Sequence, residues 1–291
     1  TATHPAAQAL TATSGTFTGD VSIDGGSFVF NESSADKDFR VESNGNTHML
    51  FVDGGNDGVG IGTSSVDTAA TMTVSNTGDS HAISIVGALN KSRMHFQGAN
   101  TGSASTDGLV IGLSSSDDTN DDSALIGLKE SGSLTLQTSG TNHLIIDGNG
   151  HVTQPKQPAF LVSPSTEQNN LTHDQTLTFD TEIYDQNADF ASNTFTAPVT
   201  GRYLMCVAIE IDSVDTAADF VRVEMATSNR NYSNSLVDPG GLGSNDHMSF
   251  DYSIIVDMDA NDTCFLRYGQ SQGSNTADLS SRSFWSGALI C

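Results

Sequence analysis

Residues 193–210 decide the fold class, because they contain two apolar runs of β type with a turn-forming link between them. From Phe195 to Tyr203 the sequence reads Phe-Thr-Ala-Pro-Val-Thr-Gly-Arg-Tyr, and Leu-Met-Cys-Val-Ala-Ile-Glu follows up to Glu210. Proline and glycine in the link favour a turn between the two runs. The stretch therefore predicts one strand at 193–197 and another at 201–210.

Similar runs continue through the second half of the chain, and convincing helical periodicity appears nowhere in the sequence. Regularly spaced strands with turn-rich connections are typical of a sandwich or a jelly roll. We therefore predict an all-β chain with a jelly-roll sandwich head at residues 155–291. The further predicted strands are 158–163, 175–185, 219–228, 247–258, 262–269 and 282–290.

The first half of the chain repeats the pattern apolar-x3-Gly-x2-His-x-apolar, at 41–50, 74–83 and 136–145. Glycine and its polar neighbours suit tight turns, so each copy predicts two short strands joined by a turn. Such a unit cannot bury its apolar stripe alone and has to stack on copies of itself or on other chains. We predict that residues 1–154 form a repetitive, intertwined trimeric β shaft.

Part of this shaft resembles the repeats of tail-fibre and other structural proteins of marine bacteriophages. The resemblance rests on Asp38–Ser43, Met49–Gly55 and Val59–Thr63, and Gly15–Val21 is similar in style. It implies a virion structural protein.

From Pro158 to its end, the chain resembles the globular head of the first complement component, in the complement-one-q/tumour-necrosis-factor jelly-roll family. The resemblance rests on Pro158–Phe160, the spacing of Phe179, Asp185 and Phe190, Phe195–Tyr203, and Ser283–Ile290. It implies a trimer and places both termini of the head at one end. The side chains assigned to the trimer or the core of the head are Phe160, Phe179, Phe190, Phe195, Tyr203 and Trp285.

Two departures from the family pattern concern spacing and ring size. The distance from Phe190 to Phe195 is two residues shorter than usual. Trp285 and Ala288 stand where two phenylalanines are common, which predicts that the larger ring fills the space of the lost one.

Strand alternation then predicts loops 164–174, 229–246 and 270–281 at the exposed far end. The loop from Arg230 combines an aromatic ring, an arginine and amides, a mixture that suits recognition of carbohydrate or protein. A variable loop without function is the alternative. The candidate receptor-binding residues are Arg230, Asn231, Tyr232, Asp238, Asp246, Gln270, Gln272 and Asn275.

The composition argues against several classes of function. The chain has 35 acidic and 11 basic residues, a net charge of −24, whereas a nucleic-acid binder needs a basic face. No run approaches the roughly 18 apolar residues of a membrane span, so we predict no membrane insertion. The nucleophile-elbow, zinc-protease and phosphate-loop motifs are missing, so we predict no enzyme.

Neither a metal ligand nor a cofactor is assigned, although a divalent cation stays possible. His48, His81 and His143 could form rings of ligands in a trimer, but single histidines favour a turn-fixing role. The acidic run Ser116–Asp122 could bind calcium, but it lacks EF-hand spacing and reads better as a solvated loop. Cys206 and Cys264 lie in apolar runs, which predicts buried thiols rather than a disulfide.

These features lead to the hypothesis of an extracellular virion protein, a homotrimeric tail or head fibre. Its head would attach to carbohydrate or protein on the host cell surface by multivalent binding, and the fibre would contact other virion proteins. Two alternatives stay open. One is a virion protein whose head only registers and locks the trimer, and the other is a bacterial surface adhesin of the same architecture.

Overall fold

The computed structural model describes residues 18–20, 30, 34–75, 82–85, 92–104, 106–114, 123–233, 236–243 and 247–291. Chain contacts divide the protein into two compact units, residues 1–94 with 111–125 and residues 95–110 with 126–291. The predicted boundary between residues 154 and 155 is a different division and stays a prediction.

The described parts of the first half form small sheets of short strands. β1 (Phe39–Val41), β2 (Leu50–Asp53), β3 (Gly58–Ile61) and β4 (Met72–Val74) pair in that order, and the last pair is parallel. β5 (Arg93–Phe96), β6 (Leu109–Ser114) and β7 (Ser123–Leu128) form a second sheet. In a third sheet, β9 (Thr141–Ile146) lies between β8 (Leu134–Thr138) and β10 (Val152–Thr153).

Two of the three repeat copies are described well enough to compare, and they use different turns. Gly140 has a φ of 73°, so it supports the two-residue turn between β8 and β9 that the pattern predicts. The connection from β1 to β2 is longer, because Asn46 and its neighbours form a local loop of hydrogen bonds there. His48 contacts the side-chain hydroxyl of Thr47 at 2.9 Å and His143 contacts that of Thr138 at 2.7 Å, so a turn-fixing role through backbone bonds stays a prediction. His81 and Ser116–Asp122 lie outside the described residues.

The second half is a sandwich of two mainly antiparallel sheets. Its strands, in chain order, are β11 (Ala159–Ser163), β12 (Gln175–Thr176), β13 (Thr181–Asp185), β14 (Phe190–Ala191), β15 (Thr194–Thr196), β16 (Gly201–Asp212), β17 (Phe220–Thr227), β18 (Asn231–Tyr232), β19 (Leu236–Val237), β20 (Met248–Met258), β21 (Thr263–Ser271), β22 (Asp278–Leu279) and β23 (Phe284–Leu289). The six-stranded sheet has the order β13-β11-β23-β16-β20, with β22 beside β16. The seven-stranded sheet has the order β14-β15-β21-β17-β18, with β12 beside β21 and β19 beside β17.

Strands predominate throughout the described residues, whose one helical turn is a short 3-10 segment at Pro239–Gly241. Within these ranges no helix has the length and apolarity that a membrane crossing requires. The all-β prediction is therefore confirmed, together with a jelly-roll sandwich in the second half.

An aromatic cluster fills the space between the two sheets. The ring of Phe160 stacks on Phe195 at 4.9 Å and on Phe190 at 5.2 Å, and it meets the edge of Trp285 at 5.0 Å. All six side chains assigned to the trimer or the core are buried, with at most 4% of their surface exposed. They therefore stabilise the sandwich of each chain and are not available for contacts between chains.

The short spacing from Phe190 to Phe195 has a direct structural reason. The two residues face each other across β14 and β15, and Ser192 and Asn193 link these strands with φ angles of 51° and 65°. A two-residue turn with positive φ at both positions joins antiparallel strands in the tightest common hairpin. The chain can thus shorten this connection without moving either ring out of the core.

The predicted exchange of ring volume between Trp285 and Ala288 is wrong. Trp285 and Gly287 point into the core, whereas Ser286 and Ala288 alternate to the opposite face of β23. Trp285 therefore cannot fill space that a smaller residue leaves at position 288. Gly287 makes room for the core instead, because a Cβ atom there would lie 2.6 Å from Cε1 of Phe160.

The three cysteines are free thiols in distinct environments. Cys264 is fully buried, as predicted, and burial raises the pKa of its thiol. Cys206 is only half-buried, because its position in β16 alternates away from the core, and Cys291 is exposed.

Candidate binding surfaces of the jelly-roll domain

The jelly roll has a base end, where its first and last residues meet, and an opposite far end. At the base end, Pro158 accepts a hydrogen bond from the amide of Leu289, and Arg202 donates its amide to Cys291 at 2.8 Å. β16 runs from this end to Asp212, so the connection after it, residues 213–219, reaches the far end. Connections 164–174 and 272–277 reach the same end.

Backbone hydrogen bonds hold the far-end connections to one another. The amide of Leu171 donates to Ala277 at 2.7 Å, and the amide of Asp219 donates to Ser271 at 2.8 Å. Asp215 accepts bonds from the amides of Ala217 and Ser274, and these bonds lower the pKa of its carboxyl group. The prediction for this end did not include residues 213–219.

Three of the predicted receptor-binding residues lie exposed at the far end. Gln272 and Asn275 occupy the connection after β21, and Asp238 follows β19. The carboxylate of Asp238 caps the 3-10 turn by accepting from the amide of Gly240 at 2.8 Å. Asp246 lies outside the described residues.

Gln270 differs from these three because its side chain is buried, with 5% of its surface exposed. Its amide group donates to the carbonyl groups of Gln272 and Ser274, and its oxygen accepts from the hydroxyl of Tyr268 at 2.7 Å. Its hydrogen bonds thus shape the connection that carries Gln272 and Asn275. Burial therefore corrects its predicted role from contact residue to support for the loop.

The structure also corrects the placement of Arg230, Asn231 and Tyr232, which lie toward the base end. Arg230 donates to the carboxylate of Asp257 at 2.7 Å, and the hydroxyl of Tyr232 donates to the same carboxylate at 3.4 Å. Burial is the main cause that raises the pKa of Tyr232. The 229–246 segment starts at the base and returns along β17, since β18 pairs with Met225 and Ala226, and β19 with Val221 and Arg222.

The outer face of the six-stranded sheet, turned away from the core, is almost uncharged in its middle. Paired strands align its outward residues in rows across β11, β23, β16 and β20. Ile255 has 57% of its surface exposed and Leu204 has 38%. Arg202 and Asp257 form a charged row at the base, and Asp251 stands on the upper row. We call the following residues the outer face: Leu161, Leu204, Cys206, Ala208, Ser253, Ile255, Phe284, Ser286 and Ala288.

The seven-stranded sheet carries a buried carboxylate, Glu224, with 2% of its surface exposed. Arg267 binds it from the neighbouring strand, Ser233 donates to it, and Arg222 lies 3.7 Å from it on the same strand. Asp174 approaches both guanidinium groups, at 3.4 and 3.9 Å. Two carboxylates and two guanidinium groups give a neutral network, which sequence reasoning did not identify.

A second group that sequence reasoning missed lies where β16 reaches the far end. Glu210, Asp212 and His247 place one potential ligand atom each within 4.8 Å of the others. Glu210 and Asp212 are two residues apart on one strand and therefore share a face, a spacing that could have signalled the pair. His247 directly precedes the adjacent strand β20, and the pairing of β20 with β16 is not visible in the sequence.

Comparison with known proteins finds a family match in the second half of the chain. The family model described as C1q domain matches residues 159–290. The globular domain of zebrafish complement 1qA protein is 19% identical, over 47% of this chain and 98% of that chain, with a TM-score of 0.35. The structure of murine APRIL at pH 8.5 is 11% identical, over 46% of this chain and 100% of that chain, with a TM-score of 0.34.

A comparison with curated proteins found no match. Residues 159–290 thus match the C1q domain family, and they fold as a sandwich of two sheets. Domains of this kind commonly form trimers and serve as binding or structural modules, and no catalytic family is indicated.

Proposed function

We propose that this chain is the subunit of a homotrimeric virion fibre whose jelly-roll domain attaches to a host surface through its far end. The observation that carries the proposal is the exposure of apolar side chains in the first half. Among its described residues, Phe51 and Val110 are the buried large apolar residues. Much more apolar surface stays in contact with solvent, on Phe30, Val41, Met49, Val52, Met72, Met94, Phe96, Ile111, Leu113, Ile126, Leu136 and Val152.

Apolar surface on this scale favours burial against other chains. A short-stranded sheet cannot supply that burial alone, whereas identical chains wound together bury the same stripes against one another. The likeness to bacteriophage fibre repeats supports a fibre rather than a globular assembly.

In the jelly roll, we assign the contacts between chains to the outer face. Its middle rows combine small and apolar residues without charge, which is the composition of the buried centre of an interface. Ile255 is the most exposed large apolar residue of this face.

The assembly is tested by light scattering and by thermal dissociation of the full chain. We expect a mass of about three times the 30.5 kDa of one chain. Ile255→Asp should lower the temperature of trimer dissociation, because it places a charge in the interface. Leu236→Asp is the matched control, since Leu236 is 55% exposed on the other sheet. A single-chain mass for the wild type contradicts the trimer, and equal effects of both variants contradict the assignment of the outer face.

Attachment through the far end is supported by the exposed amides of Gln272 and Asn275. Amides and carboxylates can hydrogen-bond to sugar hydroxyls or to protein backbone, and three linked copies of a weak site gain avidity. The far end is also opposite the end at which the chain enters the domain.

Adsorption of the purified trimer to cells tests this role. The double variant Gln272→Ala/Asn275→Ala should lose adsorption and keep its melting temperature, whereas Asn231→Ala at the base should adsorb normally. Unchanged adsorption of the double variant supports the alternative in which the head only locks the trimer. Immunogold imaging of virus particles and of cell envelopes from one culture decides between fibre and adhesin, since label on envelopes alone contradicts a virion protein.

A further inference from the structure

The structure assigns a divalent transition-metal site to Glu210, Asp212 and His247, at the far end of the six-stranded sheet. The assignment is independent of the fibre and of its trimerisation. It rests on the placement of three side chains, on the charge around them and on the chemistry of their atoms.

Placement comes from the strand geometry. Glu210 and Asp212 lie on one face of β16, and Ile211 between them pairs with Met248, the residue after His247. The imidazole therefore reaches the same place as the two carboxylates, and Nδ1 of His247 is in direct contact with Oδ1 of Asp212. The three ligand atoms lie within 4.8 Å of one another, so small side-chain rotations bring them around one ion.

Charge around the group is a second and independent observation. Asp278 on β22 lies directly opposite Asp212 on β16. Directly opposed residues of antiparallel strands project from the same face, and like charges at such positions are destabilising. The carboxylate of Asp278 accepts from the amide of Asn170 at 2.8 Å, and the positive groups in contact with Glu210 and Asp212 are Arg282 and, when protonated, His247. A divalent cation would balance that charge.

The ligand atoms, one imidazole nitrogen and two carboxylate oxygens, indicate which kind of ion would bind. Imidazole nitrogen suits zinc, nickel and copper, whereas calcium and magnesium prefer sites made of oxygen alone. Histidine nitrogen and carboxylate oxygen are both zinc ligands, and three of them would leave a fourth tetrahedral position for water or another ligand. Zinc is therefore the appropriate probe.

Arg282 is the competitor that the ion has to displace. Its Nε donates to Oε2 of Glu210 at 2.8 Å, and Nη2 binds Oε1 of the same carboxylate. Because the guanidinium holds both oxygens, Glu210 can ligate a metal only by giving up part of this pair. Arg282 is 68% exposed and can turn into solvent.

The test is calorimetric titration of the full chain with zinc chloride, followed in parallel by the melting temperature. His247→Ala should weaken zinc binding by at least about tenfold, since even groups behind a ligand commonly contribute that much. His247 is 57% exposed, so its removal leaves the fold intact. The matched control is His173→Ala, another exposed histidine beside an aspartate, which should bind zinc as the wild type does.

A third variant distinguishes this site from adventitious binding by the other histidines. Arg282→Ala should strengthen zinc binding, because it frees Glu210, and all binding should weaken at acidic pH because protons compete for the ligands. Absence of zinc binding by the wild type overturns the assignment. It is also overturned if His247→Ala binds zinc as tightly as the wild type, or if Arg282→Ala binds it no more tightly.

Discussion

Arg230 donates to Asp257 at 2.7 Å, and this pair ties the start of the 229–246 segment to the base end of the jelly roll. The two side chains are 56% and 58% exposed, and exposed ion pairs contribute less than about 1 kcal/mol. We therefore expect Arg230→Ala to lower the free energy of unfolding by no more than this amount, measured by urea denaturation. A loss of several kcal/mol would mean that the pair anchors the whole segment.

Gly287→Ala should destabilise the jelly roll by about 1–3 kcal/mol, the usual cost of overpacking a core. The new methyl group would press on the ring of Phe160 and on the sulfur of Met205. Gly241→Ala is the control, because a Cβ atom there has no neighbour within 4 Å. Urea denaturation of both variants measures the difference, and equal stabilities would show that the core relaxes around the added group.

Glu224→Gln should cost about 3 kcal/mol, because it removes the buried counter-charge of two guanidinium groups and leaves only the more exposed Asp174 to balance them. The figure is at the lower end for buried pairs, since Arg222 and Arg267 are 20% and 23% exposed. Glu182→Gln, at an exposed position of β13, should leave the free energy of unfolding unchanged. The network has no measurable role in stability if the two variants unfold at the same urea concentration.

Asp180 should contribute to acid sensitivity. Hydrogen bonds from the hydroxyl and the amide of Ser165 lower the pKa of this carboxyl group below its ordinary value of 3.8. Its stabilising contribution is therefore complete above the unfolded-state pKa and is lost as the pH falls through the lower folded-state pKa.

We expect Asp180→Asn to reduce the loss of stability on acidification, measured by urea unfolding at a series of pH values between about 6 and 2. Glu182→Gln, at an exposed position of β13, should keep the acid dependence of the wild type. An unchanged profile for Asp180→Asn would mean that these hydrogen bonds do not persist in solution.

The strands of the jelly roll could be predicted because alternation is strong in long strands that are buried on one side. β16 and β20 were expected at 201–210 and 247–258 and occur at Gly201–Asp212 and Met248–Met258. The return of the chain along β17 through β18 and β19 could not be predicted, because these two strands have two residues each and such short runs carry no period. The sequence therefore predicted residues 229–246 as a single loop at the far end of the jelly roll.

The candidate sites were harder to predict, because they depend on partners far apart in the chain. The alternating pattern around Glu224 predicts a carboxylate in contact with solvent. The side chain is buried instead, because Arg267, Arg222 and the segment with Ser233 enclose it. In the same way, nothing in the sequence around Glu210 predicts that its side chain lies close to His247. The Glu224 network and the group of Glu210, Asp212 and His247 both form only when distant strands pair.

The backbone hydrogen bonds between the far-end connections have an evolutionary consequence. Because main-chain atoms hold Leu171 to Ala277 and Asp219 to Ser271, these anchors do not depend on which side chains project from the loops. Substitutions at exposed positions such as Gln272 and Asn275 can therefore accumulate without disturbing the sandwich. A lineage that carries this domain can diversify what it recognises while every descendant keeps the same scaffold.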